Sequence, residues 1–394
     1  MSTSDIFYSS IASVKNNPPK LRLDYLDGLR GLSALYVVLL HVSQIVEDRL
    51  HGNGLLSIAY PIMLKYGRDA VGIFIVLSGY CLMLPVVRSE SRQLRGGVVQ
   101  YIKRRGRRIL PPYYAVLILS LLITAFVPMN QPFMGFQLNL AQSDFTPGIL
   151  LSHFLLLHNL KPEWIHGINY NTPLWSVATE WQIYFFFPIL LIIWRRFTII
   201  PVVATAFIVG FAPHYLLDKY FDPAVPDFLA LFALGMAAAE IGFSQKANQI
   251  LLKERFPWKW LTIMAYLGVV TLSTREFEHL TLITDVLTGV GTTSLIIYCT
   301  YFWTKSKRTR FPLILGLLES RWVVGLGTFS YSLYLVHYPI LQLVNIPLIS
   351  LHMSSTGNIL ALLLVGLPLS ILVAYIFHLA FERPFMSNHL GKAV

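Results

Sequence analysis

Three ionisable side chains, His41, Glu180 and His337, lie inside long apolar segments of this 394-residue chain. An ionisable group within a membrane is unfavourable unless it faces a cavity or a partner, so each one marks a candidate site. At a rise of about 1.5 Å per residue, all three lie about 20 Å from the membrane surface that we predict to be cytoplasmic. We therefore expect one shared polar layer. The competing interpretation is that a lone membrane histidine only hydrogen-bonds a neighbouring helix.

The first apolar segment, LDYLDGLRGLSALYVVLLHV, carries two further charged residues, Asp27 and Arg30. Arg30 and His41 are eleven residues apart, which places them within about 20° of each other around a helix, and Asp27 falls on the same face. Arg30 would lie at the cytoplasmic mouth, roughly 16 Å from His41. A histidine removed from water is neutral at neutral pH and can accept the proton of a hydroxyl group.

The segment NTPLWSVATEWQIYFFFP carries a polar residue at every fourth position: Ser176, Glu180 and Tyr184. Side chains with this spacing share one face of a helix, so the three should line a common surface. Within that surface, Glu180 could orient His41 or bind a hydroxyl group.

Four arginines within five residues precede the third apolar segment, which begins ILPPYY. Guanidinium groups match the geometry of phosphate oxygens, so the cluster could bind a phosphorylated ligand. The alternative is a topology anchor that binds lipid headgroups, and we expect that role for half of the four. They are Arg104, Arg105, Arg107 and Arg108.

The composition indicates that membrane helices position these residues. Hydrophobic residues make up 55% of the chain and charged residues only 13%, whereas soluble proteins carry about 25% charged residues. The predicted fold class is all-α, a polytopic membrane helical bundle of about ten spans. Residues 148–160 are too few to cross and predict one re-entrant or interfacial helix. The spans are residues 29–47, 70–88, 109–128, 174–194, 198–213, 226–243, 258–273, 281–303, 322–347 and 358–381.

The basic residues predict the orientation of the bundle. With ten spans, all but six of the 31 lysines and arginines fall on the side of the N-terminus, which the positive-inside rule assigns to the cytoplasm. Both termini should then be cytoplasmic tails, residues 1–22 and 386–394, around one transmembrane domain at residues 23–385. The net charge of +11 belongs to this bias, so the expected partner surface is the lipid bilayer and not nucleic acid.

Six motifs follow one another along the chain: LDGLRGLSALYVVLLHV, VGIFIVLSGY, RRGRRILPPYY, LWSVATEWQIYFFFP, SYSLYLVHYPI and ERP. In this order and spacing they resemble the acyltransferase 3 family of multi-pass membrane O-acyltransferases. The resemblance runs from about residue 21 to residue 385. It implies transfer of an acyl group, often acetyl, from acyl-CoA at the cytoplasmic side to a hydroxyl group.

Residue by residue, the resemblance places the family's first-helix arginine and histidine on Arg30 and His41, and its fourth-helix glutamate on Glu180. It implies that these three are catalytic, and that Arg30 and the arginines of residues 104–108 bind acyl-CoA. Many members have a Glu-Glu pair where this chain has Glu180-Trp181. A fused SGNH-type domain is not expected, which favours a small lipophilic acceptor over a complex glycan. The expected substrate-binding residues are Asp27, Ser176, Tyr184 and His337.

A transporter or flippase is the main alternative, because ten helices with a polar layer would suit one. Inverted repeats and paired broken helices would favour a transporter, and the sequence shows neither. A catalytically inert relative is the third possibility, which the Arg30–His41 pair disfavours. No metal cofactor is expected, since the chain has no HExxH motif, cysteine cluster or carboxylate pair at ligand spacing. The expected partners are acyl-CoA, a hydroxyl-bearing small molecule or glycan, and lipid.

Overall fold

The computed structural model describes residues 22–46, 67–126, 146–165, 167–217, 219–273, 280–305, 312–351 and 353–386. These ranges form helices and connecting turns and contain no strand, which confirms the predicted all-α class. The long helices are α1 (Asp24–Val46), α2 (Gly67–Val87), α3 (Gly97–Phe126), α4 (Trp175–Arg196), α5 (Ile199–Leu216), α6 (Phe228–Phe243), α7 (Trp258–Leu272), α8 (Thr281–Lys305), α9 (Ser330–Ser350) and α10 (Ser355–Ala361 and Leu367–Phe377, with π-helical turns at Leu362–Gly366 and His378–Glu382).

Nine helices within the described ranges are long and apolar enough to cross a membrane. The tenth long helix, α7, corresponds to the predicted span 258–273. Its 15 residues rise about 22 Å, which is less than the ~30 Å thickness of the hydrocarbon core. The protein is an integral, multi-pass membrane protein, as predicted. The predicted cytoplasmic tails lie outside the described residues except for Arg22 and Met386, and the orientation of the termini stays a prediction.

The start of α3 differs most from its predicted position. The apolar run begins at residue 109, whereas the helix begins at Gly97 and passes through all four arginines. It also continues through Pro111 and Pro112. Hydropathy marks only the part of a helix that lies in lipid, whereas the helix itself can extend into the aqueous interface. The arginines therefore have helical spacing, which divides them between two faces of α3.

Helices α2 and α6 pack closely through two glycines. A Cβ atom on Gly79 would lie 2.0 Å from the carbonyl oxygen of Phe232, and one on Gly235 would lie 2.0 Å from that of Val76. No other residue fits at such an approach, and small residues at helix contacts are a usual device of membrane bundles. The contact holds α2, and with it Ser78, against the centre of the bundle.

The segment between α3 and α4, residues 146–165 and 167–174, is called the cap segment below. It begins with the short helix Pro147–Phe154, whose N-cap Thr146 accepts a hydrogen bond from the Ile149 amide at 3.3 Å. Eight residues rise only about 12 Å, too little to cross a bilayer. The predicted short helix at 148–160 is therefore present in the first half of that range.

Candidate active site

A cavity of about 850 Å³, measured to its mouth, lies between α1, α2, α3, α4 and α9. We call the end of the bundle at which α1 and α3 begin the arginine end, and the opposite end the far end. The charged and polar residues that line the cavity are Arg30, Arg105, Arg108, Glu180, Ser78, Ser176, Tyr184, Ser330, Tyr331 and Tyr334.

Arg30 lines the cavity and is held by two neighbours. Its Nη1 donates to Asp27 Oδ1 at 3.1 Å, and its Nη2 donates to Cys81 Sγ at 3.0 Å. Asp27 lies one turn before Arg30 and also pairs with Arg22 at 3.9 Å. The structure therefore brings Asp27 to Arg30 rather than to the cavity lining, and its predicted role in substrate binding stays a prediction.

The four arginines of α3 divide into two pairs. Arg105 and Arg108 line the cavity, whereas Arg104 and Arg107 are exposed. Arg105 Nε is buried without a hydrogen-bond partner. Neither cavity arginine forms an ion pair within the described part of the chain. The cavity therefore presents cationic groups that are free to bind an anion.

Glu180 lies among the polar side chains of α4 that face the cavity. Its Oε1 accepts hydrogen bonds from the Ser78 hydroxyl and from the Tyr184 hydroxyl, the latter at 2.5 Å. Its Oε2 accepts none from the described residues. Ser176, Glu180 and Tyr184 all line the cavity, as their four-residue spacing predicts. The two hydroxyl groups fix the carboxylate and leave one oxygen available to a ligand.

His41 of α1 and His337 of α9 face each other. Their ring centroids are 5.1 Å apart, and the ring of Tyr338 stands at a steep angle to His41 at 5.0 Å. His337 Nδ1 lies 3.0 Å from the Leu333 carbonyl oxygen, to which it donates, so its Nε2 carries the lone pair. His337 Nε2 and His41 Nδ1 have no hydrogen-bond partner among the described residues. The two histidines predicted to share a depth are thus neighbours.

Glu180 and His41 are not brought together. Neither histidine lines the cavity, while Tyr334 lines it and has its ring 5.8 Å from that of His337. Tyr334 therefore stands between the carboxylate and the histidine pair. Distance along a helix predicted the depth of these groups, but it carries no information about the direction in which each helix faces its neighbours.

Two residues of the site, Ser78 and Tyr334, were not predicted as site residues from the sequence. Ser78 precedes Gly79, and such a pair indicates close helix packing; the structure uses the glycine for packing and the serine for Glu180. Tyr334 is three residues before His337, so the two share a helix face. That spacing was the available signal for a residue between the cavity and the histidines.

The cap segment is fixed to the bundle by polar contacts. Asn159 and Gln182 exchange amide hydrogen bonds of 3.2 and 2.7 Å, and Asn171 donates to the Leu335 carbonyl oxygen at 3.1 Å. Within the cap, the rings of His153 and His158 stack at 4.1 Å. Burial lowers the pKa of His153 to about 4, and burial together with the neighbouring His153 lowers the pKa of His158 to about 3.

The arginine- and glutamate-lined cavity and the adjacent histidine pair form the candidate active site of a multi-pass membrane protein. In the described residues there is no group of three His, Cys, Asp or Glu side chains that could hold a metal ion. The family model for the acyltransferase 3 domain matches residues 23–379. The chain belongs to the acyltransferase 3 family and is a membrane O-acyltransferase.

Curated relatives are similar at low identity. The acyltransferase MdmB of Streptomyces mycarofaciens is 25% identical, over 94% of this chain and 93% of that protein. The O-acetyltransferase OatA of Staphylococcus aureus is 24% identical over 82% of this chain, and the peptidoglycan O-acetyltransferase OatA of Listeria monocytogenes is 23% identical over 81%. The chain spans about half the length of these two OatA proteins, 51% and 49%. No solved structure matches the chain.

Proposed function

We propose that this protein transfers an acyl group, most simply acetyl, from acyl-CoA to a hydroxyl group, with the donor bound at the arginine end of the cavity. The observation that carries the proposal is that Arg105 and Arg108 line the cavity without an ion pair among the described residues. A cation in a partly buried cavity is stabilised by an anionic partner. CoA carries its phosphates at one end and the thioester at the other, so phosphates on these arginines direct the thioester inward.

Arg30 supports the same donor orientation, because it lines the cavity beside Cys81 while Asp27 balances part of its charge. Glu180 lies deeper and is fixed by Ser78 and Tyr184. Its free Oε2 suits the amide N–H groups of the pantetheine arm. In this assignment Glu180 is a positioning residue that directs the thioester toward Tyr334.

His41 acts as general base in the proposed step. It takes the proton of the acceptor hydroxyl as the oxygen attacks the thioester carbonyl carbon. A C–O bond forms, the C–S bond breaks, and the CoA thiolate leaves with the proton from the imidazolium. The products are an ester and free CoA. The neighbouring His337, 5.1 Å away, binds the acceptor through its free Nε2. The acyl chain must pass Tyr334 to reach His41.

The test of the donor site uses the two arginine pairs of α3 as matched variants. Purified protein in lipid nanodiscs receives [1-¹⁴C]acetyl-CoA with octyl β-D-glucoside or 1-octanol as acceptor alcohol, and released CoA and labelled ester are measured. Arg105→Ala and Arg108→Ala should each raise the donor KM about tenfold, the size of a lost charge-assisted hydrogen bond. Arg104→Ala and Arg107→Ala remove the same charge from the exposed face and should change the donor KM little.

An equal rise in donor KM for all four variants would show that the charge of the whole cluster matters and not the cavity pair. An unchanged donor KM in Arg105→Ala and Arg108→Ala would show that the donor does not bind at this end of the cavity. Absence of CoA release with either alcohol, in protein that is folded and monodisperse, would contradict acyl transfer from CoA.

A further inference from the structure

The far half of α9 and the start of α10 carry buried polar atoms that have no hydrogen-bond partner among the described residues. On α9 they are Gln342 Nε2 and Asn345 Oδ1, and on α10 they are Nδ2 and Oδ1 of Asn358. The three residues are 3%, 5% and 0% exposed. Buried polar groups in folded proteins nearly always have a partner, and each exception needs an explanation such as water or a ligand. Here each of three buried amides has at least one polar atom without a partner among the described residues.

The helix geometry places these amides at a similar depth, on two helices that pack together. Gln342 and Asn345 follow Tyr338 at four and seven residues, so all three share a face of α9. Asn345 lies five residues before the end of α9 and Asn358 three residues after the start of α10. Because the two helices run antiparallel, the depths of Asn345 and Asn358 differ by only about 3 Å. The first part of α10 packs against both α1 and α9.

The amides are continuous with the histidine pair. Tyr338, which begins this face of α9, has its ring 5.0 Å from that of His41. His337 lies eight residues, about 12 Å, before Asn345. His41 Nδ1 and His337 Nε2 are likewise without a partner in the described residues. Unsatisfied polar atoms therefore extend from the histidines toward the far end. The arginine-lined cavity lies on the other side of Tyr334.

We propose that Gln342, Asn345 and Asn358, which we call the amide array, form the binding site for the acceptor, which enters from the far end. Amides offer both donors and acceptors, and no charged side chain belongs to the array, so the ligand it fits is neutral. That ligand carries at least two hydroxyl or carbonyl oxygens besides the reacting hydroxyl, which lies between His41 and His337. The use of the bound molecule as acyl acceptor rests on the proposed function, whereas its binding does not.

The first test measures access to the array independently of catalysis. Asn345→Cys and Asn358→Cys in nanodiscs are treated with 2-aminoethyl methanethiosulfonate, and peptide-resolved mass spectrometry measures the modification of each cysteine. Both should react, because the reagent modifies thiols that water reaches. The matched control is Leu341→Cys, which should stay unmodified. Leu341 is a fully buried apolar residue between His337 and Gln342 in α9. Absence of reaction at both array positions would mean a sealed, dry array and overturn the proposal.

The second test asks whether the array binds hydroxyl groups. Octyl β-D-glucoside, kept below its micelle concentration, should slow modification of Asn345→Cys and Asn358→Cys severalfold. The same concentration of 1-octanol, which has the same alkyl chain and a single hydroxyl, should not. Modification that is equally fast with both compounds would show a water-filled array only and would overturn acceptor binding.

Kinetics provide a readout if a cysteine variant does not fold. Gln342→Leu should raise the KM for octyl β-D-glucoside about tenfold, the effect of one or two lost hydrogen bonds, and leave the acetyl-CoA KM unchanged. A change in the donor KM instead would overturn the assignment to the acceptor. If protection by the glucoside is seen but no CoA is released, binding at the array stands and the proposed function fails.

Discussion

The hydroxyl of Tyr334 lies 2.5 Å from the hydroxyl of Ser176. Tyr334 also donates to the Pro173 carbonyl oxygen at 3.0 Å, and its ring packs 6.1 Å from that of Phe74. These contacts hold a cavity-lining ring in front of His337. In the proposed function, a donor in the cavity and an acceptor at the histidines would therefore meet at Tyr334.

Removing the Tyr334 ring should uncouple acyl transfer from the acceptor. We expect Tyr334→Ala to join the cavity to the histidine region, so that water competes with the alcohol for the thioester. The ratio of labelled ester to released CoA should fall severalfold relative to the wild type. Tyr334→Phe keeps the ring and loses only the hydroxyl contacts, so its ratio should stay close to that of the wild type. An unchanged ratio in Tyr334→Ala would show that Tyr334 is no barrier.

His41 and His337 should differ in kinetic effect although they are neighbours. His41→Gln should lower kcat by about 10²–10⁴-fold, the usual effect of losing a general base. His337→Gln should mainly raise the acceptor KM, because the proposed role of His337 is binding. Both variants should retain the wild-type elution profile and thermal transition. A larger kcat loss in His337→Gln than in His41→Gln would assign the base to His337, whose Nε2 carries a free lone pair.

Glu180→Gln should separate donor positioning from donor affinity. The amide keeps the shape of the side chain but removes the charge and disturbs the hydrogen bonds from Ser78 and Tyr184. Since small misplacement of reacting groups has effects up to about 10²-fold on rate, we expect a kcat loss of about tenfold or more. The donor KM should change less than kcat, because in the proposed donor site the arginines bind the phosphates. A large rise in donor KM with normal kcat would instead place Glu180 in ground-state binding.

Periodicity predicted the faces of single helices well. The four-residue spacing in α4 predicted that Ser176, Glu180 and Tyr184 line one surface, and all three line the cavity. Depth arithmetic likewise predicted that His41 and His337 lie at one level, and their rings are 5.1 Å apart. Both quantities depend only on the fixed rise and turn of a helix.

Contacts between helices could not be obtained in this way. The position of Tyr334 between Glu180 and the histidines depends on how α4 and α9 are rotated against each other, which side-chain packing decides. The division of the α3 arginines between the cavity and the exposed face could not be predicted either. It follows from the start of the helix at Gly97, and the sequence indicated a start at the first apolar residue. The amide array depends on which faces of α9 and α10 meet.

The orientation of the bundle can be tested with two exposed positions. Gln93 lies just before α3 at the arginine end, and Glu163 lies in the cap segment at the far end. Because basic loops are retained in the cytoplasm, Gln93→Cys in sealed cells should resist an impermeant maleimide until the membrane is permeabilised. Glu163→Cys should react at once. The reverse pattern would place the arginine end, and the donor site with it, outside the cytoplasm.

The stacked histidines of the cap segment should make its stability depend on pH. Burial lowers the pKa of His153 to about 4 and that of His158 to about 3, while an opened cap would restore values near 6.5. Above pH 6.5 both states are neutral. As the pH falls below that value only the open state gains protons, so the closed cap loses about 1.4 kcal/mol per histidine per pH unit. The opening equilibrium of residues 147–160, obtained by dividing hydrogen exchange rates by the intrinsic rate at each pH, should therefore increase between pH 6.5 and pH 4.5. His158→Phe keeps an aromatic ring in the stack and should reduce this slope by about half, whereas His214→Gln, outside the cap, should leave it unchanged. A slope that is the same in His158→Phe and wild type would show that the cap does not open through these histidines.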